Sequence, residues 1–326
     1  MAYRWNAQKS SRSNLRRLAR DQLLGAIDEL NAPLADRPDA VHEARLRLKK
    51  VRALLRLVRL AAPDAYKQEN AALRDIARTL SFERDRQATI EALDKLLDHA
   101  ERKWAERKRA ERKWAERKWA EREWGEPGGH LHDLRQLRSR LVEAQQHESN
   151  DAGREQFVDR VHGLLRESLE RLEPWTAAAS SDDVVADGFA ESYRRGRRAL
   201  HLARANPTAE NLHEWRKQIK YHRYQVRLFH DAWPVLLDAH YQELKRLSDL
   251  LGDDHDLVLL GEAVGDGRAL AVSQDAVCQL TRLIERRRGE LRAGAFPLGR
   301  LLFAEKPKQL TRRFTRYWCA HRQADH

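Results

Sequence analysis

Residues 41–56 read VHEARLRLKKVRALLR. On a helix, His42, Arg45, Lys49, Arg52 and Arg56 recur at steps of three, four, three and four, so they stand on one face, turn above turn. Residues 212–227, LHEWRKQIKYHRYQVR, repeat the pattern with His213, Arg216, Lys220, Arg223 and Arg227, each 171 residues after its counterpart. Like charges at this spacing repel by about 0.2–0.5 kcal/mol per pair. A row of cations that costs stability twice over suits one kind of chemistry, the binding of an extended anion. A guanidinium offers a planar fork to two oxygens and an ammonium a point charge. No P-loop, HExxH or Glu-x-Glu-x-Lys pattern accompanies the rows. We therefore assign no catalytic residue, no metal site and no cofactor, and expect no enzyme.

The elements that must position these rows are helical. The offset of 171 continues beyond the stripes: Pro63 maps to Pro234, Leu73 to Leu244, Ile76 to Leu247, Leu80 to Leu251 and Asp85 to Asp256. This register reads as an internal duplication. Periodicity and breakers predict helices near 12–30, 40–61, 64–80, 85–120, 131–147 and 154–172. The second half gives 183–204, 208–231, 235–251, 254–264, 271–291 and 308–320. Asp39 and Thr208 are the expected N-caps of the two basic helices. In each helix the cations span an arc of roughly 80° and an apolar arc is centred roughly 130° away. The apolar set is Val41, Ala44, Leu48, Val51, Leu55 and Val58 in the first copy, and Leu212, Trp215, Ile219, Val226 and Phe229 in the second. Each helix should thus pack by one side and hold its cations beside the core, where they could line a groove between helices.

The chain has 326 residues and a net charge of +12, with a pI near 9.9. That balance favours an anionic partner: nucleic acid, an anionic membrane surface or a smaller polyanion. Two cysteines, Cys278 and Cys319, argue against a disulfide framework and for a reducing cytoplasm. No apolar run reaches the roughly 18 residues of a membrane span, and the N-terminus lacks the apolar stretch of a secretory signal.

Residues 101–124, ERKWAERKRAERKWAERKWAEREW, repeat every five residues. Five residues turn a helix by about 140°, so Trp104, Trp114, Trp119 and Trp124 spread around the axis and cannot share one core. The segment reads as a solvated helical extension without a specific role, with Arg102 and Lys103 able to pair with Glu106. An arm that stacks on nucleic-acid bases is the alternative. The GDDHD run at 252–256 reads as a loop between helices with capping acids, not a metal site.

The paired helices, VHEARLRLKKVR and LHEWRKQIKYHRY, resemble those of the CHAD family, the conserved histidine α-helical domain. LRDIARTLSFERD, LKRLSDLLGDDHD, GFAESYRRGRRAL and PLGRLLFAEKP resemble the family as well. The resemblance covers nearly the whole chain except about 101–129. It implies an all-α fold of two pseudo-symmetric four-helix-type bundles whose basic helices line a shared groove. We expect a single CHAD-like domain over 1–326: a first half at about 10–100, the insert at 101–129, linking helices at 130–172 and a second half at 183–326. The resemblance further implies binding of inorganic polyphosphate and association with polyphosphate granules. Carried onto this chain, the binding residues are His42, Arg45, Lys49, Arg52, His213, Arg216, Lys220 and Arg223. Arg56 and Arg227 join them on spacing, and Lys50, Arg20, Arg84, Arg194 and Arg197 are second-rank candidates. Two other readings stand beside this one. Nucleic acid, RNA above all, would compete as a polyanion. The protein could also be an accessory module of polyphosphate or triphosphate metabolism.

Overall fold

The computed structural model describes residues 3–31, 37–80, 82–113, 135–139, 142, 152–265 and 274–324. Among these residues there are helices and turns and no strand. The helices are α1 Ser11–Leu30, α2 Arg37–Leu55, α3 Pro63–Thr79, α4 Phe82–Lys113, α5 Ala152–Glu170, α6 Leu172–Thr176, α7 Asp182–Ala205, α8 Ala209–Leu228, α9 Pro234–Gly265, α10 Gln274–Leu302 and α11 Pro307–Ala324. Short 3-10 turns at Arg56–Val58 and His230–Ala232 close the two basic helices, α2 and α8.

Local signals account for most starts. Ser10, Ser181 and Thr208 accept backbone N–H bonds from Ser13, Val184 and Asn211 and so cap α1, α7 and α8. Pro63 sits in the first turn of α3, where its missing N–H costs nothing. Asp39 is not a cap: α2 begins at Arg37, which places Asp39 inside the first turn. There its carboxylate still favours the positive end of the helix dipole. The GDDHD run is not a loop either. It lies within α9, which is continuous from Pro234 to Gly265. α10 likewise runs past the expected end at 291 to Leu302, with Pro297 inside it.

The chain forms two compact units that cut across the two sequence halves. The first unit comprises Met1–Arg84, Asp151–Leu251 and Ala295–His326. Its core joins both apolar arcs: Val41, Ala44, Leu48, Val51, Leu55 and Val58 meet Leu212, Trp215, Ile219 and Val226 in one buried cluster, with Phe229 packed against it. α1 packs on α2, α7 on α8, and α2 on α8. Gly188 allows the closest approach, because a Cβ there would strike the Leu57 carbonyl of the turn after α2.

The second unit comprises Asp85–Asn150 and Gly252–Gly294. Its buried residues include Leu93, Leu96, Leu257, Leu260, Leu280 and Ile284. Asp254, from the run expected to be a loop, is buried here and accepts from Arg292 at 2.9 Å, with Arg288 3.4 Å away. Lys95 donates to Asp253 at 2.9 Å. The five-residue repeat is helical as far as Lys113. Lys103 pairs with Glu106 at 3.3 Å as expected, whereas Arg102 donates back to the Asp98 carbonyl. Trp114, Trp119 and Trp124 lie outside the described residues.

Candidate functional site

Both basic helices belong to the first unit, and their stripes meet. The Gln225 amide on α8 donates to the Ala53 carbonyl on α2 and to Ser192 Oγ on α7, each at 3.0 Å, which locks the three helices at one height. Both ends of that pin are buried. With the helices so held, Lys49 of α2 is surrounded by cations from both. Burial is the first cause that draws its ammonium pKa down from 10.5 to about 8. The fields of Arg45, Arg216, Arg223 and Arg52 add to it, two from each helix. Lys50 is also lowered, by burial and then by Arg47.

Five of the stripe guanidiniums have a support from a neighbouring group. Arg45 Nη1 donates to the Leu80 carbonyl at 3.2 Å. Arg52 Nε donates to Asn70 Oδ1 of α3 at 3.2 Å. Arg56, only 6% exposed, donates to the Arg52 carbonyl at 2.7 Å and to Asn70 Oδ1 at 3.3 Å. Its guanidinium lies 3.4 Å from the ring centre of Tyr221, which α8 supplies. On α8, Arg223 is buried and donates to the Tyr224 hydroxyl, and Arg227 donates to Asp238 at 3.3 Å. His213 is partly buried, and burial, Lys217 and Arg216 all push its pKa below the usual histidine range, so at neutral pH its ring is uncharged. Lys220 adds to that push. His42 is partly exposed.

The second-rank candidates scatter. Lys50 stays beside the cluster, with its ammonium over the Tyr3 ring. Arg20 is exposed on α1. Arg194 is held with Arg195 by Glu191, a buried carboxylate on its own helix. Arg197 acts on Tyr193, which bonds the Leu302 and Glu305 carbonyls. The side chain of Arg84 lies outside the described residues. The spacing of charges did not point to Asn70, Tyr66, Tyr221 or Tyr241. They are uncharged and lie on other helices or off the stripe. Only an aromatic one residue beyond a stripe cation, as Tyr221 follows Lys220, hinted at them.

Among the described residues no group of histidine, cysteine and carboxylate side chains could hold a metal ion. No helix among them is long and apolar enough to cross a membrane. What the arrangement offers chemically is a dense, preformed set of positive charge with hydrogen-bond donors on two helices.

No curated protein matches the sequence. Among solved structures the chain is similar to the crystal structure of the CHAD domain from the plant Ricinus communis, with 16% identity, a TM-score of 0.48, and coverage of 93% of this chain and 95% of that one. The family model for the CHAD domain matches residues 15–265, which contain both basic helices and all the cations around Lys49. The chain therefore belongs to the CHAD domain family.

Proposed function

We propose that this protein binds inorganic polyphosphate through the stripes of α2 and α8, as a binding module and not as an enzyme, and that it docks on polyphosphate granules through the same residues. One observation carries the reading. Lys49 is held among Arg45, Arg52, Arg216 and Arg223, an assembly of cations from two helices that is electrostatically unfavourable until an anion arrives. Polyphosphate has about one negative charge per phosphate and no bases, so a binder needs rows of cations and little else. Guanidiniums already fixed by Asn70 and tyrosines lose less side-chain entropy on binding than free ones would. Family membership supports the same ligand.

Fluorescently labelled polyphosphate, titrated over a range of salt concentrations, tests this. Six to eight phosphate contacts give a log–log slope of about −4 to −6, taking the single-strand factor of about 0.7 per contact. Absence of binding at low salt, or a slope near zero, would refute the reading.

A further inference from the structure

The rings around the two basic helices suggest how the site tells its ligand from nucleic acid. Five tyrosines beside the stripes each carry a cation over the ring face. Tyr221 takes Arg56 at 3.4 Å and Arg52 at 5.7 Å. Tyr66 takes Arg59 at 4.4 Å and Arg56 at 5.7 Å. Tyr224 takes Arg223 at 5.0 Å, and Tyr241 takes Arg227 at 5.3 Å and Arg223 at 5.6 Å. Tyr3 takes Lys50 at 5.7 Å. The rings of Tyr221 and Tyr224 are also buried, at 4% exposure each.

Proteins that hold single-stranded nucleic acid gain affinity by stacking bases on such rings, about 1–3 kcal/mol for each base. Here the rings of the site are already engaged. We propose that Tyr66, Tyr221, Tyr224 and Tyr241 are specificity-determining residues: by binding the guanidiniums they leave no ring for a base, so the site reads phosphate charge alone. An RNA strand then gains nothing from its bases. It must compete with a chain that carries a phosphate at every link instead of one per nucleotide. The inference rests on the polyphosphate reading and adds to it the residues that exclude the competing polyanion.

The tyrosines have a second consequence. Held against a ring, a guanidinium keeps its fork turned one way, so the cations form a fixed array and not a loose brush.

The test uses the full chain and three probes of equal charge: polyphosphate, poly(A) and an abasic phosphodiester chain. The expected result is that poly(A) and the abasic chain bind within about twofold of each other, both at least tenfold more weakly than polyphosphate. Tighter binding of poly(A) than of the abasic chain by fivefold or more would overturn the inference and leave polyphosphate binding intact. Failure of polyphosphate to bind would overturn the functional reading itself, and the inference with it. The variant Arg59→Ala tests the cause, because Arg59 is outside the proposed binding set and its removal takes away the nearer of the two cations over Tyr66, leaving Arg56 at 5.7 Å. Polyphosphate affinity should change by less than threefold, and poly(A) should gain at least threefold over the abasic chain. No gain for poly(A) in that folded variant would mean that cations on the rings are not what excludes bases.

Discussion

Arg56, at the end of the first basic helix, is buried over the Tyr221 ring, whereas Arg227, its counterpart 171 residues on, is about one-third exposed and paired with Asp238. One turn earlier the order reverses. Arg52 is partly exposed and bonded to Asn70, whereas its counterpart Arg223 is buried against Tyr224. A third pair differs in kind. Val51 is an ordinary core residue, and His222, at the same register, is a fully buried imidazole. Among the described residues neither of its ring nitrogens has a hydrogen-bond partner. Helical rotation puts counterpart residues on the same side of their helices, but the neighbouring element decides how deep each one lies. α3 supplies Asn70 and Tyr66 to the first stripe, and α9 supplies Asp238 and Tyr241 to the second.

If both helices form one array in spite of these differences, removing cations from either should have the same effect. The variant Arg45→Ala with Arg52→Ala, and separately Arg216→Ala with Arg223→Ala, should each flatten the salt slope by roughly one to two units. All four together should weaken polyphosphate binding by about a hundredfold or more. Titrations in several salts check this, with circular dichroism as the test of folding. A folded quadruple variant with unchanged slope would reduce the stripes to solvated faces.

The unequal depth of Arg56 and Arg227 should appear as unequal stability. Arg56→Ala removes a buried guanidinium with two ring contacts and a bond to Asn70, at a cost of about 2–3 kcal/mol. Arg227→Ala breaks a half-exposed ion pair, worth about 0.5 kcal/mol. Urea denaturation of both variants checks the difference, and equal losses would erase it.

Lys49 should make binding depend on pH. Lys49 loses its proton near pH 8 in the free protein, and a bound polyanion holds the proton on. Affinity should therefore fall about tenfold between pH 7 and pH 9. Lys49→Arg should remove most of that fall, because arginine stays charged. The effect on folding has the opposite sign. The unfolded chain keeps this lysine protonated up to about 10.5, so this group makes the fold more stable as pH rises from about 8 towards 10.5. Loss of binding at pH 9 would thus not be loss of structure.

The smallest effect concerns His222 and Val51. Burial, and then His240, hold the His222 ring neutral far below the usual histidine range. The unfolded chain takes up that proton below about pH 6.5 and the folded one does not, so stability should decline as pH falls through 6.5. His222→Val makes the second helix like the first at this register and should flatten that decline. Denaturation midpoints at pH 7 and pH 5 measure it.

Much of this was legible in order along the chain. The stripes, the apolar arcs and the cap at Thr208 follow from residue type and helical period, which act within a few turns. The GDDHD run misled because Gly and Asp signal turns locally, yet Asp254 is held in a helix by Arg292 from α10, a partner 38 residues away. The supports of the site were hidden for the same reason. Nothing in the spacing of charges connects Arg56 to Asn70 on α3 or to Tyr221 on α8.

The sequence by itself determined that the chain is helical, that two helices carry matched cationic rows, and which face of each is apolar. Those are consequences of a fixed rotation per residue and of the aversion of apolar side chains to water. Only the tertiary structure decided that the rows meet at Lys49, that Arg56 and Arg223 go deep while Arg52 and Arg227 stay near the surface, and that the tyrosine rings are covered by cations. Such properties depend on contacts between residues far apart in the chain, and a guanidinium's depth and charge environment are set by whichever helix packs over it.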